Sequence, residues 1–127
     1  MRDETREWLE YATRDLSAAE DMLATGHPSH CLVLCQQAVE KTLKALIVEA
    51  GGDEPPRTHS LSRLAQLIDL EMDDGQRALL ADLGNVYFIL RYPGELPFEE
   101  DDASAQIAAD YLTQSTEVAQ WLRQGLT

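Results

Sequence analysis

Between Pro28 and Ala50 apolar side chains return at positions 32, 35, 39, 42 to 43, 46 and 50. That is helical periodicity sustained over more than about five turns of 3.6 residues. A segment of this length with a continuous apolar stripe must be covered by other elements, and the rest of the chain supplies helices for it. From about Asp3 to Thr25, Leu9, Ala12, Leu16, Ala19 and Leu23 share one stripe. Asp3 and Glu4 stand in the first turn, where the helix dipole favours acids. Gly26-His27-Pro28 breaks that helix. After Gly51-Gly52 and the stiff loop "DEPPRT", a third helix is predicted to be capped by Thr58 or Ser60 and to run through "LSRLAQLIDL". A fourth carries Leu79, Leu83, Val86, Tyr87 and Leu90, and Pro93 and Pro97 forbid its continuation. A fifth places Ile107, Ala108, Tyr111, Leu112, Ser115, Ala119 and Leu122 on one face. No alternating strand pattern, repeat or low-complexity tract is visible. The expectation is an all-α fold: an up-and-down antiparallel four-helix bundle plus one shorter helix, in a single domain over residues 1–127.

Composition narrows the functions. Ten Lys and Arg against 23 Asp and Glu leave a net charge of -13. Binding to a nucleic-acid backbone draws mostly on cations that neutralise phosphates, and no basic run or RNP-like aromatic signature occurs. Broad nucleic-acid binding is therefore not expected, whereas a small local basic site or a cationic partner protein fits. No apolar run approaches the roughly 18 residues that a membrane span needs. The charged start "MRDETREWLE" shows no signal peptide, so a reducing cytoplasm is the expected location.

Polar residues on or beside apolar stripes are the informative ones. Asp15 flanks the buried face of the first helix. Gln37, Glu40, Lys41 and Lys44 form a polar seam on the second, with members three or four apart so that they meet along one line. Arg91 lies four after Tyr87, at the edge of the fourth helix's apolar face. A charge beside a core needs a partner. Asp15 and Glu40 supply carboxylates, Lys44 and Arg91 supply cations, and the arginine fork suits a carboxylate or a phosphate. Two readings follow. One is an ion-pair cluster that fixes helix register; the other is a polar pocket that holds an anion between Lys44 and Arg91. His59, at the start of the third helix, carries an imidazole of the kind that suits proton transfer, or else serves as part of the helix cap.

His27, His30, Cys31 and Cys35 have the composition of a zinc set, but both cysteines share an apolar stripe, where Cys behaves as a small hydrophobe. Closed zinc sites join two separated ligand pairs, so no metal is expected, and no cofactor. Nucleotide-loop, zinc-protease and nucleophile-elbow motifs are absent.

Four stretches carry a family resemblance: "DLSAAEDML", "QQAVEKTLKALI", "THSLSRL" and "LRYP", in that order. Together they resemble the HEPN domain, over about residues 5 to 124. The resemblance implies a five-helix bundle that forms a homodimer. It also implies a role beside a minimal nucleotidyltransferase in a two-component, toxin–antitoxin-like pair, with a nucleotide as a further ligand. The residues that match in position are Asp15, Gln37, Glu40, Lys44, His59, Arg91 and Tyr92. One branch of the family consists of metal-independent ribonucleases with an arginine followed, after four to six residues, by a histidine. Here "YPGELPFEEDD" follows Arg91, with acids where that histidine would stand. A binding protein is accordingly the expected function. The alternative is a ribonuclease in which Arg91 meets His59 in space.

Overall fold

The computed structural model describes residues 1–51, 54–89 and 102–126, and the side chains of all of these except 87–89 and 102–103. Five helices make up the fold: α1 (Asp3–Ala24), α2 (Pro28–Gly51), α3 (Leu61–Leu67), α4 (Asp74–Ile89) and α5 (Asp102–Gln124). There is no strand among the described residues, in keeping with the all-α bundle expected from periodicity. The expected stop at Pro93 and Pro97 lies outside the described residues.

The α1–α2 corner follows from local sequence. Thr25 ends α1, and Gly26 takes the left-handed conformation (φ 86°) that costs a glycine little. Gly26 N–H then donates to Leu23 O at 3.3 Å and His27 N–H to Met22 O at 2.8 Å. This reciprocal pair closes two open carbonyls of α1. Pro28 begins α2, at a position whose N–H has no helical partner to lose. Such a tight corner makes α1 and α2 neighbours.

α2 packs on each of the other four helices. Cys31, Leu32, Cys35, Val39, Leu43 and Val48 are all but fully buried, and α2 is buried around most of its circumference. Ala19 joins it in one core from α1, Leu61 and Leu64 from α3, Leu79, Leu80 and Leu83 from α4, and Ala108, Val118 and Leu122 from α5. From α5, Arg123 Nη2 reaches α1, donating to Leu9 O at 2.9 Å and to Thr13 Oγ1 at 2.6 Å.

Two expectations from periodicity are corrected. α3 stops at Leu67 instead of running on through Leu70, and Asp69 adopts φ 49°, a left-handed conformation open to Asp but incompatible with a continuing helix. On α5, Ile107 is 41% exposed. The buried face runs through Ser104, Ala108, Ser115, Ala119 and Leu122, about one residue round from Ile107.

Candidate functional site

On α2 the inward turn of the seam carries Gln36, Glu40 and Lys44, spaced four apart and therefore stacked along one line. All three are buried. Glu40 Oε2 accepts from Lys44 Nζ at 3.0 Å, with side chains only 8% and 9% exposed. This Glu-before-Lys order also suits the helix dipole. Glu40 Oε1 accepts from Gln36 Nε2 at 3.1 Å. It also lies 2.9 Å from His59 Nδ1. An ionised carboxylate only accepts, so Nδ1 carries the proton in that contact.

Burial alone would raise the Glu40 pKa. The hydrogen bonds from His59, Gln36 and Lys44, with the Lys44 charge, outweigh it and hold the carboxyl below its ordinary value. Glu40 is thus an ionised group inside the protein, stabilised by three donors from two segments. Gln36 Nε2 also donates to His59 O at 3.4 Å. Both of these contacts are acceptors, which fixes the amide orientation and leaves Gln36 Oε1 buried without a partner among the described residues.

His59 stands at the mouth of this arrangement, its side chain 54% exposed. Ser60 caps α3, its Oγ accepting from Arg63 N–H at 3.3 Å, which fixes the backbone beside His59. His59 also lines a cavity of about 550 Å³ between the α3 approach and α4, together with Arg57, Thr58, Ser60 and Asn85. Behind the buried pair, Lys44 Nζ lies 5.6 Å from the centre of the Trp8 ring on α1. Lys44 is therefore enclosed by a carboxylate and an aromatic face.

Glu40, Lys44 and His59 thus come together as one cluster. Asp15 does not join it: its carboxylate receives Lys41 Nζ at 2.6 Å, forming a separate α1–α2 ion pair on the flank. Gln37 is half-buried and outside the cluster, which contains its neighbour Gln36 instead. Arg91 and Tyr92 lie outside the described residues, so the Lys44–Arg91 pairing does too. Gln36 and Trp8 were not among the residues expected. The signal for Gln36 was present, since a residue four before Glu40 is the one that stacks on it, whereas Gln37 is turned away by about 100°. Trp8 had no comparable signal, because its partner Lys44 belongs to another helix.

His27 and His30 meet edge to face with ring centres 5.9 Å apart, and Cys31 and Cys35 are buried free thiols. Among the described residues no group of three or more His, Cys, Asp or Glu side chains converges as a metal site. No helix among them is long and apolar enough to cross a membrane.

Comparison with known proteins places this geometry in a family. No functionally curated protein matches the chain. Among solved structures, TT1696 from Thermus thermophilus superimposes with a TM-score of 0.81 at 24% identity, over 97% of this chain and 98% of that one. An archaeal HEPN homologue, ST0689, superimposes with a TM-score of 0.72 at 23% identity, over the full length of both chains. At that identity the likeness is one of fold. The sequence profile of the HEPN domain, in turn, matches residues 5–124, nearly the whole chain, and the protein belongs to the HEPN family.

Proposed function

We propose that this HEPN protein is a binding module: a homodimer that acts as the partner of a minimal nucleotidyltransferase in a two-component, toxin–antitoxin-like system, and that takes a nucleotide at the opening beside His59. The observation that carries the reading is the held histidine. A buried, ionised Glu40 fixes His59 Nδ1 at 2.9 Å, at the edge of a cavity of about 550 Å³ that Arg57 also lines. A pre-oriented imidazole and a guanidinium beside open volume suit a phosphate-bearing ligand. Lys44 contributes indirectly: its charge is matched by Glu40, so it steadies the carboxylate that orients His59.

Co-expression with a minimal nucleotidyltransferase and purification through a tag on this chain test the partnership. A stoichiometric complex supports it, and a chain that comes through alone refutes it. For the ligand, thermal unfolding is followed with and without ATP. A ligand of the native state raises the midpoint, and at one hundred times its dissociation constant the gain is about 2.7 kcal/mol. The shift is expected in the wild type and lost in His59→Ala.

One feature favours a second reading. A carboxylate-held histidine is the arrangement a general base requires, as a ribonuclease using His59 and Arg91 would need. Incubation with RNA in EDTA decides it: cleavage abolished by His59→Ala supports the enzyme, and intact RNA removes it.

A further inference from the structure

A second cavity, of about 460 Å³, opens beside Trp8, lined by Glu4, Glu7, Trp8 and Tyr11 of α1 and by Glu54 and Pro55 after α2. The α1 residues follow the spacing i, i+3, i+4, i+7 and so form one stripe. Tyr11 is 51% exposed. Trp8 Nε1 and the Tyr11 hydroxyl have no hydrogen-bond partner among the described residues, and Glu4 and Glu7 have no ion-pair partner among them. Among the described residues Glu54 meets only the exposed Arg57, at 3.6 Å. Both rings already bear cations of this chain: Lys44 lies 5.6 Å from the Trp8 centre, and Arg14 lies 5.4 Å and Lys41 5.7 Å from that of Tyr11.

We propose that this groove receives an arginine side chain from a basic segment of a partner protein. Two aromatic walls and three carboxylates, with no basic residue in the lining, describe a receptor for a cation. The chain's charge of -13 favours the approach of a basic partner over long range. Arginine fits better than lysine. Its planar guanidinium stacks on an indole or phenol ring while its N–H edge pairs with a carboxylate, whereas a lysine ammonium is a compact, strongly hydrated charge. The inference holds whichever protein supplies the segment, so it stands apart from the nucleotidyltransferase reading.

The test uses the full chain with Trp121→Phe, so that the remaining tryptophan fluorescence reports Trp8 alone. The probe is an eight-residue peptide with three arginines spaced by glycines, titrated beside its lysine counterpart. Saturable change in Trp8 emission is expected, with the lysine peptide several-fold weaker. Glu4→Gln/Glu7→Gln, at exposed positions and checked for unchanged helicity by circular dichroism, should weaken arginine-peptide binding by about tenfold, the effect of roughly 1.4 kcal/mol. Glu20→Gln/Glu71→Gln removes the same charge elsewhere and should change it less than twofold. Absence of binding, equal affinity for the lysine peptide, or equal weakening by the two double variants would each overturn the proposal.

Discussion

Glu40 keeps its charge in the interior because three donors surround it: Gln36, Lys44 and His59. Removing one member of such a buried pair leaves the other uncompensated, so Glu40→Ala should destabilise the protein by about 3 to 5 kcal/mol in urea unfolding. Replacing both, as Glu40→Leu/Lys44→Met, should recover most of that loss, because well-packed apolar residues substitute for a buried ion pair at little net cost. A double variant no more stable than Glu40→Ala would show that the cluster's hydrogen bonds, and not the charge pair, dominate. The same residue sets a pH dependence. The folded pKa of Glu40 lies below its ordinary value of 4.5, so the native state binds the proton less tightly than the unfolded chain. Its contribution to stability is full above the unfolded value and is lost as pH falls through the folded one. Urea midpoints measured between about pH 6 and pH 3 should fall on the acid side, and fall less steeply in the Glu40→Leu/Lys44→Met protein.

At the scale of helices, local chemistry decided what could be read in advance. α1 and α2 end within a residue of where periodicity and breakers put them, because Gly26 and Pro28 act locally. Gly26→Ala should cost about 1 to 2 kcal/mol, since φ 86° is a strained conformation for alanine; calorimetry checks this. α4 opens on a reciprocal cap that can be found by inspection. Gln76 N–H donates to Asp73 Oδ1 at 2.7 Å, and Asp73 N–H donates to Gln76 Oε1 at 2.9 Å. Asp73→Ala should therefore lose about 1 kcal/mol. The end of α3 was not legible. "LIDL" continues the helical apolar pattern, whereas the chain takes φ 49° at Asp69 and leaves the helix. The candidate site was half legible. Polarity beside apolar stripes pointed to Glu40 and Lys44, since charge there demands partners, and a histidine at a helix start pointed to His59. Which partners they are depends on the azimuth of each side chain and on a second helix, so Asp15 fell to Lys41, and Gln36 and Trp8 went unnoticed.

Across the molecule the helices are joined by directed polar contacts over a shared apolar centre. Arg123 is the clearest link between the two ends of the chain, since its guanidinium bonds α5 to Leu9 O and Thr13 Oγ1. Arg123→Ala should lower stability by about 1.5 to 3 kcal/mol, the range for a hydrogen bond to a charged group, with an unchanged urea m-value. A changed m-value would mean that α5 no longer docks as a unit. The position of α2 has a separate consequence. Because it touches every other helix, no partial opening uncovers its middle while leaving the remainder assembled. Deuterium uptake at the amides of Val39 to Leu46 should therefore proceed only through complete unfolding, which makes those few protons a direct gauge of how far any bound molecule steadies the entire protein.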